Sequence, residues 1–356
     1  MKLAALMLLA VACAKEGANN SATASSTTSS SGGSVDLTGA GATFPYPIYS
    51  KWFSDYATAT GVKINYQSIG SGGGIRQLSE GTVDFGASDS PMSDDEMSKA
   101  KGGPILHIPT VLGADVITYN LPGVAAGLKL TSAVIADIFM GRVKKWNDTR
   151  IATLNAGVSL PNRDILVVHR SDGSGTTYIF TDYLSTAVPA WKTRVGKGKE
   201  VKWPVGLGAK GNEGVAGQVK QTPGSIGYVE LAYATQNNLP IAAIRNKSGQ
   251  FVAASVPAVT AAAAGAAKAL PGNTDYRISI VDAPGADSYP ISSFTWILVY
   301  QHQTDAVKGK KLVDFLNWAL TEGEKSAVTL DYAPLPTEMA TTVKARLGTI
   351  DLSGAK

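Results

Sequence analysis

One corner in the middle of the chain, where an apolar run changes into a helical pattern, most constrains the fold. Residues 165–184 read ILVVHRSDGSGTTYIFTDYL. The four branched apolar residues at 165–168 predict a buried strand, and apolar pairs at i,i+4 spacing within 179–184 predict a helix directly after it. This stretch is therefore a strand-to-helix corner of an α/β protein.

The residues of this corner favour the binding of an anion. Ser174 lies where a helix N-cap is expected, between Gly173 and Gly175. A helix start offers free backbone N–H groups and the positive end of the helix dipole, and glycines let a ligand approach the backbone closely. Arg170 adds a charge, and Asp172 is placed to hold it. The alternative is an ordinary capped turn in which Arg170 and Asp172 only pair with each other.

Two more corners of the same kind make the anion-binding interpretation stronger. The alternating stretch 62–66, VKINY, predicts a strand, and the glycine-rich segment 70–74 leads into a short helix with Ser71 at the expected cap position. Farther upstream, Thr43 and Phe44 precede a proline, which is tolerated in the first turn of a helix. Three helix starts thus have similar chemistry.

Composition limits the class of protein. The 356 residues are 44% apolar and 17% charged, which predicts about two domains with ordinary cores. The net charge is only +4, and the basic clusters resemble solvated faces, so no nucleic-acid partner is expected. Three scattered histidines and one cysteine support neither a metal site nor a disulfide framework, and no cofactor is predicted.

The N-terminus indicates export from the cytoplasm. An early lysine and an apolar run of about ten residues, too short to span a bilayer, are typical of a signal peptide over residues 1–13. Its end, LLAVAC, resembles a bacterial lipobox, which implies lipidation of Cys13, although Ala10 departs from that pattern and a plain signal peptide stays open. Residues 14–35 are rich in Ser and Thr and predict a flexible tether.

The folded part predicts alternating strands and helices. Predicted strands are VKINY, VDFGAS, ILHIP, DVITYN, ILVVH, SIGYVE and FTWILVY. Two of the three corners precede residue 117 and the third follows it, so two lobes can share one cleft, which is a preferred ligand site.

Six blocks of the sequence resemble successive blocks of a known family. They are LTGAGATFPYPIYSKW, YQSIGSGGGIRQ, VDFGASDSPMSDDE, HRSDGSGTTYIFTDYL, VKWPVGLGAKGNEGVAG and GSIGYVELAYA. They are similar to those of the phosphate-binding protein of the bacterial ABC-type phosphate importer. The resemblance implies a type II periplasmic-binding-protein fold with two lobes, lobe 1 formed by 36–117 plus 289–356 and lobe 2 by 118–288.

The resemblance also implies the ligand, the partners and the site residues. The ligand is inorganic phosphate, and the partners are the membrane permease subunits of an ABC transporter. The protein is expected to be an extracytoplasmic monomer without enzymatic activity. The phosphate-binding residues that the resemblance implies are Thr43, Phe44, Ser71, Asp89, Arg170, Ser174, Gly175 and Thr176. Asp172 is expected to orient Arg170 and not to touch the ligand.

Three other functions are alternatives to phosphate capture. Residues 206–211, GLGAKG, match a dinucleotide-binding fingerprint with Glu230 downstream, but the sequence predicts no enclosing βαβ unit. A phosphoryl-transfer enzyme could use the same anion cradle, yet the sequence has no G-K-[ST] loop and no G-x-S-x-G elbow. A structural surface lipoprotein remains a third class, which binding of a small anion would exclude.

Asp89 is predicted to recognise the proton on phosphate. Ser93 and Glu96 already form a capping box, so Asp89 is not needed as a helix cap, although it could be a plain turn residue. An ionised carboxylate only accepts hydrogen bonds, and it is tolerated beside an anion when that anion brings a proton. Phosphate carries such a proton near neutral pH and sulfate does not.

Overall fold

Strands and helices alternate along the chain, in agreement with the α/β order expected from the sequence. The computed structural model describes residues 37–267 and 275–354. In these ranges the strands are β1 (Leu37–Gly41), β2 (Ile64–Ser68), β3 (Phe85–Ser88), β4 (Ile105–Tyr119), β5 (Lys129–Leu130), β6 (Leu166–Arg170), β7 (Leu207–Ala209), β8 (Ser225–Glu230), β9 (Ala243–Arg245), β10 (Phe251–Val252), β11 (Ser292–Tyr300) and β12 (Ala333–Pro334). The α-helices are α1 (Tyr46–Thr60), α2 (Ser71–Glu80), α3 (Asp94–Ser98), α4 (Ser132–Phe139), α5 (Thr149–Ala152), α6 (Gly175–Ala187), α7 (Pro189–Arg194), α8 (Gly211–Gln221), α9 (Leu231–Gln236), α10 (Val256–Ala267), α11 (Ala306–Ala319) and α12 (Thr337–Leu347).

A nine-stranded sheet forms the centre of the protein. Its strands lie in the order β2-β1-β3-β11-β4-β8-β6-β7, and β12 pairs with β4 beside this path. We call β1, β2, β3 and β11 the first half of the sheet and β6, β7 and β8 the second half. β4 pairs with both halves. A smaller sheet has the order β10-β9-β5.

β4 is one continuous strand of 15 residues, all of them buried. The prediction of two separate strands, ILHIP and DVITYN, was therefore wrong. Thr295 of β11 pairs with Val111, and the next residue pairs with Pro109, so Thr110 is an extra residue in β4. A bulge of this kind accommodates the missing N–H of a proline within a paired strand.

The register of the two halves brings their ends to the middle of β4. Ser88, the last residue of β3, aligns through Trp296 of β11 with Pro109. Glu230, the last residue of β8, pairs with Asp115. β3 runs parallel to β4 and β8 runs antiparallel to it, so the carboxyl ends of both halves meet near residues 109–115. Ligand sites in α/β sheets form at the carboxyl ends of strands.

Buried aromatic rings attach helices to each half of the sheet. The ring centroid of Phe53 in α1 lies 6.2 Å from that of Phe85 in β3. In the second half, Phe180 of α6 stacks on Tyr228 of β8 with a centroid separation of 4.4 Å. Each aromatic residue buries a large apolar area, so these contacts hold α1 and α6 against the sheet.

Several predictions concern residues outside the described ranges or are not tested by the fold. The signal peptide 1–13, Cys13 and the tether 14–35 lie outside the described residues. The lobe boundaries stay predictions. Within 37–267 and 275–354, no helix is long and apolar enough to span a membrane.

Candidate anion-binding site

The corner between β6 and α6 has the local structure that the sequence predicts. Ser174 is the N-cap of α6, and its Oγ accepts a hydrogen bond from Thr177 N at 2.9 Å. Arg170 ends β6 and is 3% exposed. Its Nε donates to Asp172 Oδ1 at 2.8 Å and its Nη2 to Asp172 Oδ2 at 2.6 Å. This bidentate pair fixes the plane of the guanidinium.

The electrostatics of that pair agree with its geometry. Burial by itself would raise the pKa of Asp172, but the hydrogen bonds and the charge of Arg170 outweigh burial and hold this pKa below its usual value. Asp172 Oδ1 also accepts from Gly211 N at 3.1 Å. The carboxylate thus orients both Arg170 and the start of α8.

The corner between β2 and α2 differs from the sequence-based expectation. Ser71 is the first residue of α2, and the N-cap is Gly70, whose φ of 88° is in the left-handed region that glycine adopts without strain. The prediction that Ser71 caps the helix was therefore wrong. Its buried Oγ instead accepts a hydrogen bond from Asp89 N at 3.2 Å.

The corner between β1 and α1 is anchored through its carbonyl groups. Tyr233 donates its hydroxyl to Thr43 O at 2.6 Å, and Tyr332 donates to Phe44 O at 2.7 Å. Pro45 is the N-cap residue of α1 and not its first helical residue. Thr43 and Phe44 are both buried, and none of the described residues accepts a hydrogen bond from the N–H of Phe44.

Asp89 follows β3 and is 1% exposed. Thr295 donates its hydroxyl to Asp89 Oδ1 at 2.8 Å. Burial raises the pKa of Asp89 to about 7, although the Thr295 hydrogen bond and the charge of Arg170 act in the opposite direction. The predicted capping box of Ser93 and Glu96 is confirmed, so α3 is capped without Asp89.

The corner between β2 and α2 is in direct contact with the corner between β6 and α6. Gly72 N donates to Gly173 O at 2.8 Å. A Cβ atom on Gly175 would collide with Ser71 Oγ and Asp89 Oδ2, so only glycine allows this approach. The first N–H groups of α6, on Gly175 and Thr176, have no acceptor among the described residues. Free donors from α6 thus lie beside the carboxylate of Asp89.

One residue that links two corners was not found from the sequence. Asn212, in the first turn of α8, donates its Nδ2 to Thr43 Oγ1 at 2.8 Å and to Thr176 Oγ1 at 3.0 Å. The glycine-rich stretch 206–211 precedes it. Because β7 and β8 both run parallel to β6, β7-α8-β8 is a βαβ unit, and the expectation of no such unit was wrong.

That glycine-rich stretch is nevertheless occupied by the protein's own groups. Thr43 Oγ1 accepts from Asn212 N at 3.1 Å, at the start of α8, where a dinucleotide phosphate would bind. Glu230 is buried, and its Oε2 accepts from Ala232 N at 2.8 Å, so it caps α9. The start of α8 is thus occupied by Thr43, and Glu230 is fully buried, so neither is placed to bind a dinucleotide.

Buried carboxyl groups near the site were also missed. Asp115 is fully buried, and neither of its carboxyl oxygens has a hydrogen-bond partner among the described residues. Burial raises its pKa well above the usual value, the charge of Arg170 lowers it and the charge of Asp89 adds to the rise. Within 37–267 and 275–354, no cluster of three His, Cys, Asp or Glu side chains could hold a metal ion.

Comparison with known proteins identifies the family. A family profile described as a PBP superfamily domain matches residues 20–322. The phosphate-binding protein PstS of Pasteurella multocida is 48% identical over 311 residues, which cover 87% of this chain and 89% of the relative. The chain belongs to the PstS family of phosphate-binding proteins.

Other PstS proteins and solved structures agree with this assignment. The phosphate-binding protein PstS of Xylella fastidiosa (strain Temecula1) is 46% identical over 313 residues, covering 88% of this chain and 85% of the relative. The solved structure of a high affinity periplasmic phosphate-binding protein (PfluDING) bound with phosphate aligns with this chain with a TM-score of 0.70 at 23% identity. The alignment covers 87% of this chain and 93% of the solved chain, and it confirms the two-lobed periplasmic-binding-protein fold.

Proposed function

We propose that this PstS family member captures inorganic phosphate where the carboxyl ends of the two sheet halves meet. One observation carries the proposal: two buried corners present the N–H donors of Phe44, Gly175 and Thr176, which no described residue uses. Unpaired buried donors are costly unless a ligand accepts from them. An anion with several oxygens meets that need.

The site residues then have distinct roles. Backbone N–H groups and hydroxyls donate to the phosphate oxygens, and the Arg170 guanidinium adds a charge-assisted donor. Asp89 is the acceptor in this set, and its carboxylate accepts a hydrogen bond from the protonated oxygen of phosphate. The proposed phosphate-binding residues are Thr43, Phe44, Ser71, Asp89, Arg170, Ser174, Gly175 and Thr176.

We infer transport and not catalysis as the purpose of binding. The relatives named above are phosphate-binding proteins. Closure around phosphate would present one surface to the permease of an ABC importer. We place the protein outside the cytoplasm, held to the membrane through lipidated Cys13, which mass spectrometry of the mature N-terminus tests.

The test of the site is calorimetry with phosphate on a matched pair of arginine variants. Arg170→Ala removes a buried donor and should weaken binding by about 2 kcal/mol or more, roughly thirtyfold. Arg150 is the control because it also makes a bidentate pair with an aspartate two residues away, Asp148, but is exposed. Arg150→Ala should leave the affinity unchanged, and unchanged affinity in Arg170→Ala would remove that corner from the site.

A further inference from the structure

The side chain of Asn212 stands between two hydroxyl groups of the proposed site. Its Nδ2 donates to Thr43, which follows β1 in the first half of the sheet, and to Thr176 of α6, which follows β6 in the second half. Asn212 itself is fully buried. A buried amide shared by two corners controls how both hydroxyls can hydrogen bond.

The orientation of this amide is fixed by a backbone group. Asn212 Oδ1 accepts from Glu230 N at 2.9 Å. A backbone N–H can only donate, so the atom facing it must be the amide oxygen. The NH₂ group therefore faces the two threonines, and each of its two hydrogens has one hydroxyl oxygen to bind.

Both lone pairs of Thr43 Oγ1 are already used. It accepts from Asn212 Nδ2 at 2.8 Å and from Asn212 N at 3.1 Å. A hydroxyl oxygen has two acceptor positions and one hydrogen to donate. The remaining direction at Thr43 Oγ1 is therefore that of its own hydrogen.

Both lone pairs of Thr176 Oγ1 are used as well. It accepts from Asn212 Nδ2 at 3.0 Å and from Arg170 Nη1 at 3.1 Å. No described residue accepts a hydrogen bond from either threonine hydroxyl, although both residues are buried. Two buried O–H groups thus need an acceptor from outside the protein.

We propose that Asn212 is a positioning residue that makes Thr43 and Thr176 obligate donors to the bound anion. The inference rests on the proposed phosphate site, and it explains why that site favours a ligand whose oxygens accept hydrogen bonds. A free hydroxyl can rotate to donate or accept, whereas these two are held as donors before the ligand arrives. Preorganised donors bind an anion more tightly because no reorganisation is needed on binding.

The experiment measures phosphate affinity by calorimetry in a double-mutant cycle. Thr43→Val with Thr176→Val removes both hydroxyls and should weaken binding on the order of a hundredfold. Asn212→Ala alone should weaken binding roughly tenfold, because the hydroxyls then rotate freely. Once both hydroxyls are gone, adding Asn212→Ala should cost less than about twofold, since nothing is left to orient.

A matched control separates positioning from the general loss of a buried amide. Asn155 is also buried, its Nδ2 donates to Lys129 O and Ile151 O, and its Oδ1 accepts from Lys129 N. Asn155→Ala should leave phosphate affinity unchanged. An equal loss from Asn212→Ala with and without the two threonine hydroxyls overturns the positioning role. Unchanged affinity in the double valine variant would instead remove the threonines from the proposed site.

A measurement on the unmutated protein covers the case in which Asn212→Ala does not fold. Neutron diffraction of the phosphate complex should place the hydroxyl deuterium of Thr43 and of Thr176 toward phosphate oxygens, with both Asn212 Nδ2 deuterium atoms toward the threonines. A threonine hydroxyl that donates to Asn212 would overturn the inference.

Discussion

Replacement of Asp89 by asparagine should change which anions the protein accepts. Asp89 is 1% exposed and one of its oxygens is held by Thr295, so it cannot turn away from the ligand. Facing sulfate, which brings no proton, an ionised Asp89 would place an acceptor against an acceptor without water between them. Asparagine has the same shape but can donate through its NH₂ group.

The size of the effect follows from burial. Leaving a buried charged group unpaired costs about 2 to 4 kcal/mol, so Asp89→Asn should improve sulfate affinity by roughly 30-fold to several hundredfold. Phosphate has oxygens that accept from the new amide, so its affinity should fall by less than about tenfold. Discrimination is thus lost while binding persists.

The same reasoning gives a pH dependence for the unmutated protein. The pKa of Asp89 is raised to about 7, so in the ligand-free protein the carboxyl is ionised above that pH and protonated below it. A protonated Asp89 can donate to sulfate. Discrimination against sulfate should therefore weaken as the pH falls through about 7, and the asparagine variant should lack this pH dependence.

The assay is calorimetry of phosphate-free protein with phosphate and with sulfate, at about one pH unit below and above the Asp89 pKa of about 7. If Asp89→Asn rejects sulfate as strongly as the unmutated protein does at both pH values, Asp89 does not recognise the phosphate proton. Selectivity would then have to come from the donors around Ser71 and Arg170.

Three further predictions follow from the same contacts. Glu96 Oε1 in α3 lies 2.7 Å from Lys199 Nζ, and this ion pair connects the segment after β3 to the segment before β7, one in each half of the sheet. Glu96→Gln keeps the capping box but removes the ion pair, so it should weaken phosphate binding about two- to fivefold. Glu322→Gln, which breaks an exposed ion pair, is the control, and equal phosphate affinities of the two variants would contradict a role for the Glu96–Lys199 pair. Burial raises the pKa of Asp115 well above 3.8, so the unfolded chain ionises this group first, and the free energy of unfolding should fall as the pH rises from 3.8 toward the raised pKa. Urea titrations of phosphate-free protein should show a smaller decline for Asp115→Asn, and parallel curves would refute the assignment. Small-angle scattering should give a smaller radius of gyration with phosphate than without it, and identical values would indicate a rigid, preformed site.

Local features of the site could be predicted because they depend on neighbours in sequence. Ser174 as a helix cap, the pair of Arg170 and Asp172, and the capping box of Ser93 and Glu96 each involve residues two or three positions apart. Their chemistry is visible in a short window of sequence. The alternation of strands and helices was predicted for the same reason.

Long-range features could not be predicted from such windows. Asn212 lies 169 residues from Thr43, and nothing local indicates that its amide reaches across to that hydroxyl. Asp115 begins the alternating stretch DVITYN, where a polar residue is typical of an exposed strand end, but it pairs with Glu230 of β8 and is fully buried. The bulge at Thr110, which merges two predicted strands into β4, depends on the register with β11.

A crystal structure of the protein with phosphate tests the central claim most directly. The account predicts one phosphate at the middle of β4, with its oxygens within hydrogen-bond distance of the N–H groups of Phe44 and Gly175 and of the Arg170 guanidinium, and its proton directed at Asp89. A phosphate bound elsewhere, or one that touches residues of only one half of the sheet, would contradict it.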